Sequence, residues 1–273
     1  MNIITDEEFD SLLSFVKVNY GIDLSTRRTF VEIRMQKLLR IRDFTDFTTY
    51  FNFICSDMTG VALSEFISNL TINYTLFLRE PYHFEYMKST VLPYFYEKEQ
   101  LKKDLRIWSA GCSTGEEPYT LAMMISDYLG AYKPLWDTKI LATDISETVL
   151  KKAISGSYYV ESVEKLPPNW LRSYFRTDPD DPEIIYVSDQ IKKEVIFRKH
   201  NLVSDMFTFK QKFHVIYCRN VMIYFDEITK KKLIKKFYDN LVDGGYLFIG
   251  MSETIDKDEF GFKYIKTSVY RKE

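Results

Sequence analysis

The stretch Trp108-Ser-Ala-Gly-Cys-Ser-Thr-Gly-Glu-Glu-Pro-Tyr-Thr-Leu-Ala122 holds the densest set of residues able to do chemistry. An apolar run enters a turn containing Gly111 and Gly115, then a helix that Pro118 can open within its first turn. Neither glycine carries a Cβ, so the backbone there can approach a ligand closely. Their spacing is not GxGxxG, and no lysine follows as in a phosphate-binding loop. Glu116 and Glu117 would repel a pyrophosphate and suit a ligand with positive charge, such as the sulfonium and ammonium of S-adenosylmethionine. As a purely structural device, the same two acids complement a helix macrodipole.

Three further strand ends carry polar groups. Ile140-Leu-Ala-Thr-Asp144 places an acid where a second βαβ strand commonly meets ribose hydroxyls, although Asp144 also suits a helix cap. His200-Asn201-Leu202 follows EVIFRK, and Arg219-Asn220 follows FHVIYC. Asparagine can donate and accept at an adenine edge, and it also serves ordinary turns. His83, His200 and His214 are scattered and read as structural, and Cys112 reads as a small filler. Cys55, Cys112 and Cys218 form no CxxC pair, so neither a disulfide framework nor a zinc site is expected.

These residues need a scaffold. Up to residue 80 the pattern is helical, from the capping-box pair Thr5 and Glu8 through Phe9, Leu12, Leu13 and Val16 to a stop at Gly21. Further helical runs follow Ser25 and cover about 44–56 and 63–71. From residue 106, RIWSAG, KILATD, EVIFRKHN, FHVIYCRN and GYLFIGMSE alternate with helical segments, which implies βαβ units and a mostly parallel sheet. Gly245–Met251 and Phe262–Arg271 are expected to pair as an antiparallel hairpin closing one edge. The expected fold is therefore α/β, a class I methyltransferase sheet behind a small all-helical domain. The divisions are 1–80 helical, 81–105 a linker helix and 106–273 the sheet domain. Residues 157–193, crowded with Pro167, Pro168, Pro179 and Pro182, form an inserted antiparallel lobe.

The chain has 273 residues, 45% hydrophobic and 16% aromatic, enough for a sizeable core. A net charge of -2 offers no global attraction to nucleic acid or an anionic membrane. The acidic start MNIITDEEF does not resemble a signal peptide, and no apolar run spans a bilayer, so a cytoplasmic protein without membrane insertion is expected.

Together SAGCSTGEEPYTLAM, ILATDIS, CRNVMIYFD and NYTLFLRE resemble the CheR family of chemoreceptor glutamate methyltransferases, in the family's order and over nearly the whole chain. The resemblance implies transfer of a methyl group from S-adenosylmethionine to glutamate carboxylates on the cytoplasmic helical domains of methyl-accepting chemotaxis receptors. It implies cofactor contacts from Asn73, Thr75, Arg79, Gly111, Glu117 or its neighbour Glu116, Asp144, Asn201, Leu202, Arg219 and Asn220. It further implies that Arg79 and Tyr224 position the substrate carboxylate and that S-adenosylhomocysteine is the product; a monomer is expected, although nothing in the sequence reads out the oligomeric state.

Six basic residues stand between Arg27 and Arg42 against the single acid Glu32. Such a run is an ordinary wet helix face or, by the resemblance, a receptor-docking one. Some positions depart from the family: FLRE replaces the commoner FFRE, Thr120 stands where serine is frequent, and Asp178-Pro-Asp-Asp-Pro182 replaces a glycine-rich turn in the lobe. The last change disfavours tethering to a receptor's C-terminal peptide and favours direct docking. The rival readings are a same-family enzyme of another sensory pathway, a non-catalytic binding scaffold and a small-molecule methyltransferase.

Overall fold

A computed structural model describes residues 4–71, 73–204, 207, 209–256 and 260–273. The amino-terminal helices are α1 (Asp6–Tyr20), α2 (Arg28–Arg42), α3 (Phe47–Ser56) and α4 (Val61–Leu70). The entry of α1 is set by reciprocal bonds: Glu8 N donates to Thr5 Oγ1 at 3.2 Å and Thr5 N donates to Glu8 Oε2 at 2.9 Å. Gly21 ends it in the left-handed conformation that its missing Cβ permits. An irregular segment leads to α5 (Pro81–Tyr86), a π-helical turn at Met87–Val91 and α6 (Leu92–Lys98).

The sheet domain then runs β1 (Ile107–Ala110), α7 (Glu116–Leu129), β2 (Ile140–Asp144) and α8 (Glu147–Ser155). The lobe supplies β3 (Ser157–Tyr159), α9 (Pro168–Tyr174), β4 (Phe175–Thr177), β5 (Ile184–Val187) and α10 (Asp189–Lys192). After it come β6 (Val195–Lys199), β7 (Phe213–Cys218), α11 (Glu227–Asn240), β8 (Leu241–Ile249), β9 (Phe262–Lys266) and β10 (Val269–Lys272). The large sheet has the order β6-β2-β1-β7-β8-β10-β9, parallel except where β10 meets β8 and β9. The lobe is a separate antiparallel sheet of order β3-β5-β4.

At the carboxyl edge the two stretches pair antiparallel as expected, but only through the second half of Phe262–Arg271. Phe262–Arg271 is itself a hairpin, turning at Thr267 and the left-handed Ser268, and its return strand β10 inserts beside β8. The polar pair Thr267-Ser268 supplies the reversal, and Ser268 is held by donating its hydroxyl to Gly250 O at 3.1 Å.

Burial on both faces explains the unbroken apolar strands. Along β7 and β8, Ile216, Cys218, Leu247 and Ile249 join one core cluster, whereas Val215, Tyr217, Tyr246 and Phe248 join another. The first cluster is continuous with Leu12, Val16, Val31, Leu38 and Phe66 of the amino-terminal helices. Polar contacts add to that docking. Asp23 N donates to Tyr224 O at 2.7 Å, and Glu147 N donates to Ser64 Oγ at 2.8 Å. The helices are thereby fixed over the carboxyl ends of the strands. No helix among the described residues is long and apolar enough to cross a membrane.

Candidate active site

β1, β2, β6 and β7 are parallel, so their carboxyl ends share one rim, and a cleft opens there beneath the amino-terminal helices. It is lined by Asn73, Thr75 and Arg79 from the segment before α5, and by Gly111 and Glu117 from the β1 turn and α7. Asp144 comes from the end of β2, Asn201 and Leu202 from beyond β6, and Arg219, Asn220 and Tyr224 from beyond β7. Tyr20, Tyr74, Ser113 and His200 complete the part of the wall that bears on the chemistry.

Glu116 is the one expected site residue that does not reach the cleft. It is buried, and both its carboxylate oxygens accept from Thr114 Oγ1, at 2.9 and 2.7 Å. Consecutive helical residues point about 100° apart, so only one of the two acids faces the rim, and it is Glu117. Desolvation pushes the Glu116 carboxyl above the usual range, opposed by the Thr114 hydroxyl.

The β1 turn is held from below. Gly111 N and Cys112 N donate to Thr143 O at 2.8 and 2.9 Å, and Ser113 N donates to Asp144 Oδ2 at 2.9 Å. Gly111 has φ 85°, and a Cβ there would stand 2.3 Å from Val221 Cγ2. The space left by its hydrogen is therefore used by the chain itself as well as bordering the cleft. Asp144 Oδ1 accepts from Ser146 N at 3.0 Å, so each of its oxygens takes one backbone N–H and keeps a further lone pair. Burial raises the Asp144 carboxyl, and the neighbouring backbone N–H groups oppose that rise.

Opposite Asp144 lies a set of paired charges. Arg219 Nη1 donates to Glu117 Oε2 at 3.0 Å, and Nε and Nη2 donate to Glu80 Oε2 at 3.2 and 3.0 Å. Glu117 Oε1 accepts from Ser109 Oγ at 2.7 Å. Burial alone would raise Glu80, but His83 and the Arg219 guanidinium hold its carboxyl down at about 2. Arg79 Nη1 donates to Tyr74 O at 2.7 Å. Asn73 is tied to the end of α4, donating to Ser68 O at 2.9 Å, while its carbonyl accepts from Ser113 Oγ at 2.9 Å. Asn201 Nδ2 donates to Asn19 O at 2.9 Å, which links the helical domain to the β6 end.

Sequence reasoning gave no role to Glu80 or to Glu253. The Glu253 carboxylate accepts from the backbone N–H groups of Asn220, Ile223 and Gly250, and so braces the loop that carries Arg219 to Tyr224. Both acids stand inside motifs, FLRE and GMSE, but nothing local marks their carboxylates as partners of residues far along the chain. Thr120, noted only as a departure, accepts from Leu78 N at 3.4 Å and so touches the Arg79 segment.

The cleft is chemically suited to a nucleoside. Its charged lining residues are Arg79 and Arg219 with Glu117 and Asp144, and Arg219 is also paired with Glu80, which does not line it. S-adenosylmethionine, with a sulfonium, an ammonium and a carboxylate, carries one net positive charge. Asp144 retains acceptor capacity for paired hydroxyls, and Asn220 offers an amide at the rim. Sheet order, cleft position and donor set define a class I S-adenosylmethionine-dependent methyltransferase.

Comparison with known proteins places it further. Residues 73–271 match the family model described as CheR methyltransferase, SAM binding domain, and residues 7–71 match CheR methyltransferase, all-alpha domain. The chemotaxis protein methyltransferase of Borreliella burgdorferi is 40% identical over 98% of this chain and 95% of its own length. Those of Listeria innocua and Escherichia coli are 36% and 34% identical, over 97% and 98% of this chain and 100% and 91% of their own lengths. The chain belongs to the CheR methyltransferase family. Its cofactor is S-adenosylmethionine, and its activity is methyl transfer in chemotaxis.

Proposed function

We propose that the acceptor is the side-chain carboxylate of glutamate on the cytoplasmic helices of methyl-accepting chemoreceptors, giving a glutamate methyl ester. The observation that carries this reading is that Arg79 and Tyr224 line the same cleft as Asp144 and Glu117. When bound, S-adenosylmethionine supplies an electrophilic methyl group on a positively charged sulfur. Asp144 accepts from the ribose hydroxyls, and Glu117 faces the methionine end. Asn73, Thr75, Asn201, Leu202, Arg219 and Asn220 form the remaining cofactor wall.

A glutamate carboxyl with a pKa of about 4.3 is already ionised at neutral pH, so its oxygen attacks without a general base. The residues of the cleft agree with that. Burial raises the Cys112 thiol well above its usual range, so no thiolate competes with the acceptor carboxylate. The protein's task is orientation, which can supply about 7–11 kcal/mol of the barrier at best. Arg79 offers a planar fork to the acceptor carboxylate, and the Tyr224 hydroxyl donates beside it.

The exposed face of α2 offers a surface for a helical receptor. On α2, Lys37 and Arg40 are exposed near the apolar Ile33 and Ile41, while Arg28 and Arg42 are paired with Glu32 and Glu65. That face supports docking directly on receptor helices, and we take the protein to act in the cytoplasm as a monomer. Receptor-bearing membranes incubated with the protein and radiolabelled S-adenosylmethionine are expected to yield base-labile label released as methanol. Base-stable label, or methyl transfer to metabolites without a protein acceptor, overturns the assignment.

A further inference from the structure

The turn that presents Arg79 is held by Arg219, which also lines the cofactor wall, and by Glu80, which has no part in the chemistry above. Leu78 and Glu80 flank Arg79, and both have left-handed backbones, with φ 53° and 56°. Side-chain-bearing residues adopt that region only when their surroundings impose it. Here the surroundings are Arg219, whose side chain is only 2% exposed. Its Nη2 donates both to the Arg79 carbonyl and to Glu80 Oε2, so one guanidinium grips two consecutive residues of the turn. Nη1 anchors the same group to Glu117 at the start of α7. Met251 N donates to Glu80 Oε1 at 3.4 Å, and His83 Nδ1 stands 3.2 Å from Oε2. Glu80 itself does not line the cleft.

We propose that Glu80 is a positioning residue: through Arg219 it locks the left-handed turn that aims Arg79 at the acceptor carboxylate. The proposal rests on the role given to Arg79 under the proposed function. Arg79 lies between two backbone conformations that would relax if the grip were loosened. A displacement of about 1 Å in a group that orients substrate can cost about a hundredfold in rate. Glu80 thus acts on catalysis without touching cofactor or substrate.

The test is a double-mutant cycle in the full-length enzyme, using receptor-bearing membranes as substrate. Glu80→Gln keeps the shape and removes the charge. It is expected to lower kcat about tenfold to a hundredfold, with KM for receptor unchanged and calorimetric affinity for S-adenosylhomocysteine falling far less than kcat. In an Arg79→Lys background, which lacks the planar fork, the same substitution is expected to have little further effect. Wild-type kcat for Glu80→Gln overturns the proposal, and so do equal losses in both backgrounds or nucleoside affinity falling in step with kcat. Should Glu80→Gln fail to fold in a thermal melt, Glu80→Asp is read by the same criteria, because it keeps the charge and withdraws the carboxylate. Full activity in Arg79→Lys alone, by contrast, removes the role of Arg79, whatever Glu80 does.

Discussion

Asp144 joins architecture and chemistry in one side chain, since its two oxygens each fix a backbone N–H and each retain room for a ligand hydroxyl. Asp144→Ala removes charged acceptors whose hydrogen bonds are worth about 1.5–3 kcal/mol each. Calorimetry with S-adenosylhomocysteine is therefore expected to show affinity falling by about tenfold or more, and unchanged affinity would refute the ribose assignment. Tyr224→Phe should behave differently. The ring keeps its place against Arg27, whose guanidinium lies 5.4 Å from its centroid, and only the hydroxyl is lost. Methyl transfer is expected to slow by about tenfold while product affinity stays constant, a loss confined to the transition state. An equal fall in affinity would reassign Tyr224 to cofactor binding. At this scale the types of the cleft residues were readable from the sequence, but the choice between Glu116 and Glu117 was not. They share type and neighbourhood, and only the rotation of α7 against the sheet separates them.

Among the elements, the turn after β1 is the most constrained. Gly111 combines φ 85° with a 2.3 Å approach between an added Cβ and Val221 Cγ2, so alanine there meets both backbone strain and a clash. Gly111→Ala is expected to cost about 1–3 kcal/mol of stability from the backbone alone. A denaturant titration should show it as a lower midpoint with unchanged slope. Product affinity should fall with it, because Val221 adjoins Asn220 on the cleft wall. A variant with wild-type midpoint and affinity would show that the turn has slack. The glycine's importance was legible from its place between strand and helix. Its reason was not, since Val221 lies more than a hundred residues along the chain. The loop after β7 teaches the same lesson, because the Glu253 carboxylate that braces it arrives from the far end of β8.

Over the whole molecule, Glu80, Arg219 and Glu117 tie the segment leaving the amino-terminal helices to the sheet. The Glu80 carboxyl is held at about 2 against an ordinary 4.5, so its ionised form is favoured by folding. That contribution is complete above about pH 4.5 and disappears as pH falls towards about 2. The stability advantage of wild type over Glu80→Gln, measured by denaturant unfolding, is expected to shrink through that window. Burial raises Asp144, Glu116 and Glu253, which gives their contributions the opposite sign, but they are common to both proteins and cancel in the difference. An advantage constant with pH would mean that the Glu80 carboxylate is not held as described.

The sequence by itself determined the alternation of strands and helices, the helical amino-terminal region and the motifs that crowd one rim. Each of these is written in local periodicity, turn chemistry or short contiguous runs. It did not determine that Phe262–Arg271 folds back on itself, because the two-residue turn at Thr267-Ser268 is stabilised by Gly250, just beyond the end of β8. Nor did it reveal the pairing of Glu80 with Arg219, 139 residues apart. Buried ion pairs of this kind arise from which strand lies beside which, and that order follows from burying two apolar faces at once.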